Sequence, residues 1–353
     1  MVPIGRRDAD IVWQYDMMDE LGVFPHNGTF TSPLIVGDFI YLNTCNGMDW
    51  THVNIPYPQA PSLIAVNKWT GVLAGVDNAG ISQRIFHGQW GSPSAGKLNG
   101  RTLIFHGGGD GFCYAFDAQP VQEGDQRILK KVWSVDCNPP EYRFNKGKRI
   151  KYPAADGPSE VIATPVFWKN RVYVAIGQDP EHGEGEGNLV CLDPSPAIDA
   201  SKGRILWSYR GIKRSISTAS ITPDGLLFIS DYSGYVHCLN AETAELYWIH
   251  DMRAHMWGST MVADGKVYVG DEDGDFVILA ASKEKRILSK MIVDGHEEDG
   301  PNFGAPIYST PVVANGVLYV ASQTHLFAIH DASKAIAVRS AESTALRAPS
   351  EPH

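Results

Sequence analysis

One short pattern recurs along this chain and limits what it can fold into. Ser309-Thr310-Pro311-Val312-Val313-Ala314-Asn315-Gly316-Val317-Leu318-Tyr319-Val320 is its cleanest copy. Ala163 to Val174 and Thr31 to Leu42 repeat it, with the Pro preceding the Tyr by eight positions each time (311 to 319, 165 to 173, 33 to 41). Gly258 to Val269 is a fourth copy, and Gly91 to Phe105 and Ser217 to Ile229 are looser ones. The Pro position therefore falls at 33, 93, 165, 219, 260 and 311. The shortest interval, 219 to 260, has the length of one propeller blade of about 40–45 residues, and the longer ones read as blades with loop insertions.

Each copy reads as a strand, a Gly or Asn turn and a second, aromatic strand. A third strand follows, as in Gly187-Asn188-Leu189-Val190-Cys191-Leu192-Asp193, and a fourth often carries Trp: Trp133, Trp207 and Trp248. A four-stranded antiparallel sheet cannot bury both its faces alone, so the copies must stack; radial stacking of such sheets gives an all-β propeller. Helical periodicity is almost absent, which excludes a helical solenoid. Composition agrees: 35 glycines suit many tight turns, and 43% apolar residues are enough for a core. The formal charge of −10 argues against a nucleic-acid partner, since phosphate needs a basic face. No apolar run is long enough to span a membrane as a helix.

The S/T-x-P opening, the Gly-x-x-Tyr-Val run, the third-strand Gly-x-Val-x-Cys/Ala-Leu-Asp/Asn and the close Ser201-Lys202-Gly203-Arg204-Ile205-Leu206-Trp207 resemble the PQQ-binding-like β-propeller repeat family. The resemblance covers Ile11 to about His330. It implies one propeller domain over 9–330 and an exported, periplasmic location. Residues 331–353, rich in Ala, Ser and Pro, read as a poorly ordered tail. The opening residues lack the apolar segment of a secretory signal, and a start in mid-blade fits an N-terminally truncated chain. Asp10 to Asp16 reads as a fourth strand that completes the last blade. That pairing would close a ring of six blades; the alternative is that the chain is the C-terminal part of a ring of seven or eight.

In a propeller the loops joining strands 2 and 3 share one face with the loops joining consecutive blades. The major insertions here, 43–61, 76–90, 137–160, 176–188 and 294–305, all belong to that face. Functional residues concentrate on such loops. His87, Gln89, Trp90, His255 and Trp257 are the candidates for lining the channel mouth. Asp179, Glu181, His182 and Glu184 form a candidate metal cluster, with a solvated acidic loop as the plain alternative. The acidic clusters at 179–186 and 294–299 predict an acidic surface there. Asp271 to Asp275 resembles the start of an EF-hand loop but lacks its closing Glu, because position 282 is Ser, so it reads as a hairpin turn. Gln119 to Arg127 reads as a loop on the opposite face. Arg143, Lys146, Lys148, Arg149 and Lys151 read as a mobile solvated loop.

The quinoprotein dehydrogenases in this superfamily imply a vicinal disulfide against the quinone, a Ca²⁺ site and an Asp base. This chain has no adjacent cysteines and no haem-attachment motif. Cys113, Cys191 and Cys238 read as buried hydrophobes, while Cys45 and Cys137 could pair if close. No cofactor is therefore assigned, although the resemblance leaves PQQ and Ca²⁺ open. The reading that follows is a non-catalytic binding or scaffold propeller, taking a protein or polysaccharide partner on its loop-rich face. The alternative is a PQQ- or metal-dependent oxidoreductase with diverged ligands.

Overall fold

The computed structural model describes residues 11–28, 31–195, 204–291 and 303–330. Six successive antiparallel sheets follow the repeat. The first blade is β1 (Leu34–Val36), β2 (Phe39–Asn43), β3 (Leu63–Asn67) and β4 (Leu73–Asp77). The second is β5 (Ser94–Leu98), β6 (Arg101–Gly107), β7 (Phe112–Asp117) and β10 (Lys131–Asp136), interrupted by the hairpin β8 (Val121–Glu123) and β9 (Gln126–Leu129). A small hairpin, β11 (Phe144–Asn145) and β12 (Lys148–Arg149), leads to the third blade. That blade is β13 (Val166–Trp168), β14 (Arg171–Ile176), β15 (Asn188–Asp193) and β16 (Arg204–Tyr209). The fourth is β17 (Ser220–Ile221), β18 (Leu226–Ser230), β19 (Tyr235–Asn240) and β20 (Leu246–Asp251). The fifth is β21 (Met261–Ala263), β22 (Lys266–Gly270), β23 (Phe276–Ala280) and β24 (Ile287–Met291). The sixth has three strands, β25 (Val312–Ala314), β26 (Val317–Ala321) and β27 (Leu326–His330). No helix among the described residues is long and apolar enough to cross a membrane.

The core lies between blades. Strand alternation sends successive side chains to opposite sheet faces, and both faces of an inner blade are covered. On β14, Val172, Val174 and Ile176 join Phe105 and Trp133 of the second blade. Tyr173 and Ala175 turn the other way, toward Leu227 and Ile229 of the fourth. The other junctions repeat this: Tyr41 with Phe116, Phe228 with Val269, and Phe276 with Val320.

Two polar devices lock each blade to the next. The fourth-strand indoles donate to the carbonyl just beyond the third strand of the following blade. Trp133 Nε1 reaches Pro194 O (3.0 Å), Trp207 Nε1 reaches Ala241 O (3.2 Å), and Trp248 Nε1 reaches Ser282 O (2.9 Å). At four of the six Pro positions the preceding Ser/Thr accepts a hydrogen bond from its counterpart in the preceding blade. Ser32 N–H donates to Ser92 Oγ (2.9 Å), Thr164 to Thr218 Oγ1 (3.1 Å), Thr218 to Ser259 Oγ (2.9 Å) and Ser259 to Thr310 Oγ1 (2.9 Å). The S/T-x-P opening is thus an inter-blade contact, while the Pro beside it needs no N–H partner.

Several expectations are corrected here. Residues 11–16 form no strand, and no fourth strand pairs with β27 among the described residues. Instead Trp13 Nε1 donates to Lys68 O (2.9 Å), just beyond β3. This is the contact by which the other fourth-strand tryptophans reach the following blade, so the indole docks on the first blade as the outer strand of a preceding blade would, although its segment forms no strand. A short helix, α1 (Met17–Leu21), follows, capped by Asp16 and ended by left-handed Gly22. The segment 119–127 holds the hairpin β8–β9, and β9 pairs in parallel with β4 of the first blade (Val76 with Ile128, Asp77 with Leu129). Its buried Ile128 and Leu129 cover an otherwise open edge. Arg143 is not solvated. It ends α2 (Pro140–Arg143), is buried, and pairs with Asp136 through Nη2 at 2.6 Å. Cys45 and Cys137 do not form a disulfide with each other, and all five cysteines are buried thiols. The segments 294–299 and 331–353 lie outside the described residues.

The Asp271 segment is a turn, as the hairpin reading expects: Gly274 N–H donates to Asp271 O, and Asp271 Oδ1 accepts from the N–H groups of Asp273 and Asp275. Burial pushes this carboxyl up to about 7. The folded chain therefore holds a proton that the unfolded chain releases, so the site loses stability as pH rises from about 4 to about 7. Asp271→Asn, which keeps the acceptor, should match the parent chain at pH 4 and gain on it steadily toward pH 8 in urea melts. Trp133→Ala should cost about 3–5 kcal/mol in the same measurement, by leaving a cavity and an unpaired Pro194 carbonyl.

Candidate metal centre

Four histidines from separate loops meet at the rim of the first three blades. His26 precedes the first blade, and its segment runs antiparallel to residues 45–47. His26 N–H donates to Cys45 O (3.1 Å), Gly47 N–H to Phe24 O (2.9 Å) and Phe24 N–H to Asn46 Oδ1 (2.9 Å). Gly47 permits this approach, since a Cβ there would lie 2.4 Å from that of His26. His52 belongs to the loop between β2 and β3, in a turn set by Asp49. It takes φ of 56°, a left-handed conformation that His tolerates better than most residues. His87 lies between the first two blades; its carbonyl accepts from Met48 N–H (3.0 Å), and Gly88 N–H donates to Glu160 Oε1 (3.3 Å). His182 sits between β14 and β15 in a turn capped by Asp179.

The side chains converge closely. His52 Nδ1 is 2.7 Å from His87 Nε2. His182 Nδ1 is 2.6 Å from Asp179 Oδ2, and His87 Nδ1 is 3.2 Å from that same oxygen, out of line for a hydrogen bond. Two triads, His26/His52/His87 and His87/Asp179/His182, each bring one donor atom per residue within 4.8 Å of the others. His26 Nδ1 lies 2.8 Å from Met48 O. A carbonyl only accepts, so Nδ1 carries the proton and Nε2 holds a lone pair. That Nε2 is buried and has no hydrogen-bond partner among the described residues.

The electrostatics suit a cation. Burial, with the other histidines adding to it, holds His26 below its ordinary range, so the ring stays neutral. Burial opposes ionisation of Asp179, but its contacts with His87 and His182 outweigh it and hold the carboxyl at about 2. Glu160 is the opposite case: burial and the nearby Asp179 charge push it well above the usual carboxylate range. Its Oε2 accepts from Tyr152 OH (3.2 Å), and its Oε1 tethers Gly88 and thereby positions His87. Trp90 and Trp50 flank His26, with ring centroids at 6.0 and 5.9 Å.

The residues singled out from sequence are therefore divided. His87, Asp179 and His182 come together, with Trp90 as a wall. Gln89 is buried and donates to Asn46 O (3.0 Å) and Ser62 Oγ (2.9 Å), holding the loop between β2 and β3. The side chains of Glu181 and Glu184 are exposed and outside both triads. His255 and Trp257 lie in a different cluster: His255 stacks on Tyr232 at 4.3 Å, and Trp257 Nε1 donates to Glu272 Oε2 (2.9 Å). His26 and His52 were not singled out. His52 lies in an insertion already assigned to this face, so a histidine count over those insertions finds it; His26 carries no such signal.

The fold and repeat define a β-propeller of four-stranded antiparallel blades, and comparison with known proteins agrees. The family described as outer membrane protein assembly factor BamB matches residues 196–289, which include the fourth and fifth blades. The chain is similar to the crystal structure of BamB from Moraxella catarrhalis, with 18% identity and a TM-score of 0.56, over 85% of this chain and 71% of that one. It is also similar to quinohemoprotein alcohol dehydrogenase from Comamonas testosteroni, with 12% identity and a TM-score of 0.54, over 84% of this chain but only 51% of that one. A computationally designed protein, Ika8, resembles it at 12% identity and a TM-score of 0.51, over 86% and 72% of the two chains. No curated protein sequence matches it. Residues 196–289 thus carry the family's PQQ-like repeat, and the chain shares the propeller fold of these structures.

That family raises pyrroloquinoline quinone with Ca²⁺ as a cofactor, and the residues present do not fit it. Ca²⁺ takes six to eight oxygen ligands, whereas the cluster offers four imidazoles and one carboxylate. The five cysteines are separate buried thiols, which leaves no vicinal disulfide. Imidazole-rich sets suit zinc, copper, iron and nickel instead.

Gly47→Ala should disrupt the cluster by driving His26 off its place. The expected result is a stability loss of about 1–3 kcal/mol in urea together with weaker Co²⁺ binding. Glu181→Ala should change neither.

Proposed function

We propose that this chain is a metal-binding propeller, with one divalent transition-metal ion held by His26, His52 and His87 on the loop-rich face. The buried, unpartnered Nε2 of His26, with its lone pair fixed by Met48 O, carries this reading. A buried nitrogen without a partner costs free energy, and a metal bond repays it. Three imidazoles leave a coordination position for water or a ligand, the arrangement of catalytic sites rather than closed structural ones. His52 and the half-exposed His182 lie on the side from which such a ligand would enter. This favours the metal-dependent alternative over a purely passive module, with a metal centre in place of the quinone. An ion there would act as a Lewis acid or as an activator of bound water.

A second reading accounts for the other half of the propeller. The BamB-family match covers 196–289, which contains none of the four histidines. We infer that the fourth and fifth blades serve as a protein-binding surface of the assembly-factor kind, in an exported, periplasmic protein. A single domain over 9–330 would then carry a metal centre on one sector and a docking surface on another.

Metal-free protein titrated with Co²⁺ should develop visible ligand-field absorption. Addition of Zn²⁺ at about 100 times its Kd should raise stability by about 2.7 kcal/mol. His52→Ala should weaken Co²⁺ binding at least roughly tenfold. A chain that shows neither the absorption nor the stabilisation is not a metal protein. For the docking sector, a denatured outer-membrane β-barrel protein should bind the parent chain and His52→Ala equally; loss of binding with His52→Ala would place docking at the metal face.

A further inference from the structure

The reading above uses one triad, and a second shares a residue with it. His87, Asp179 and His182 place their donor atoms within 4.8 Å of one another, as His26, His52 and His87 do. His87 meets the two groups with different atoms. Its Nε2 is 2.7 Å from His52 Nδ1, while its Nδ1 is 3.2 Å from Asp179 Oδ2. That Nδ1 is buried and makes no aligned hydrogen bond among the described residues. The two nitrogens of an imidazole diverge, so a single ion cannot take both.

We propose that the centre is dinuclear: the His87 ring bridges two divalent transition-metal ions, one completed by His26 and His52, the other by Asp179 and His182. This rests on the metal-binding reading and extends it to the number of ions and the role of His87.

The dimensions allow it. Tetrahedral ligands at bonds of about 2.0–2.1 Å lie about 3.3 Å apart. Of the separations around Asp179, the 3.2 Å one is already near that distance; the 2.6 Å one, and the 2.7 Å one between His52 and His87, need to open by about 0.6–0.7 Å. His182 stands on a turn with its side chain 34% exposed, so it has room to move. Two metal–nitrogen bonds plus the width of the ring put the ions roughly 6 Å apart. A neutral imidazole carries one ring proton, so bridging requires His87 to give up that proton, which is released to solvent as the second metal bond forms. The Asp179 carboxylate and the His87 imidazolate then offset part of the added positive charge. Neither the metals nor the ligands change oxidation state.

The test is metal content and magnetic coupling in the full chain. Metal-free protein loaded with Co²⁺ and dialysed should retain two ions per chain by elemental analysis. His52→Ala and His182→Ala, both at the open side of the cluster, should each retain one. Circular dichroism should show both variants folded. The doubly loaded parent should have an attenuated low-temperature Co²⁺ resonance, because ions bridged by one ring couple, and each variant should recover an uncoupled signal. One ion in the parent, lost in both variants, would overturn the dinuclear centre and leave the metal-binding reading intact. No ion in the parent would overturn both. Two ions without magnetic coupling would overturn the bridge.

Discussion

An indole N–H placed on the carbonyl of the next blade sets the geometry on which everything else depends. A four-stranded sheet with two apolar faces has no stable existence alone. Burial drives the blades together, but burial is non-directional. The Trp133, Trp207 and Trp248 hydrogen bonds, with the hydroxyl contacts at the strand openings, fix how far each blade turns relative to its neighbour. A small change in that rotation, summed over two junctions, would separate His52 on the first blade from His182 on the third. The cluster is thus a product of blade spacing as much as of its own loops.

Buried polar groups elsewhere in the molecule show why this cluster is unusual. His237 is as buried as His87, but Asp231 Oδ2 lies 3.0 Å from one nitrogen and Tyr209 OH 3.1 Å from the other. Asp110 accepts from Tyr114 and Arg84. These groups are satisfied and hold turns in place. His106 is short of partners too, yet it belongs to no set of three ligating side chains among the described residues. Among the described residues, only at the rim of the first three blades do unsatisfied imidazoles join a set of three ligating side chains.

Much of the architecture was legible because it is periodic. Pro311 and Tyr319, Pro165 and Tyr173, Pro33 and Tyr41 mark equivalent places in three blades, and the tryptophans mark the outer strands. The loop face was legible too, since topology decides where insertions emerge. What could not be read was anything that breaks the period. The hairpin at Val121 to Leu129 crosses to a neighbouring blade, and its sequence does not say which edge it covers. Trp13 looks like an outer-strand residue and makes an outer-strand contact, but strand pairing does not follow from the indole alone. At the site, Asp179, His182 and His87 stood out from their local chemistry. His26 and His52 are single histidines in unremarkable segments, and only three-dimensional closure gives them company. Glu181 and Glu184 misled because a run of carboxylates looks like a ligand set even when its side chains face water.

The crossing hairpin also has a mechanical meaning. Stacked repeats ordinarily fray from their ends, because each unit touches only its neighbours. Here β9 leaves the second blade, lies along β4 of the first and returns before β10 begins. The first blade cannot peel away without tearing a strand that belongs to the second. The two blades therefore behave as one cooperative unit, and slow amide exchange should extend across both together. The loops bearing His52 and His87 are anchored in that unit. The histidine cluster is thus braced through the flank of the first blade, where Asn78, in the segment that leads to His87, donates through Nδ2 to Glu123 Oε1 of the hairpin (3.3 Å).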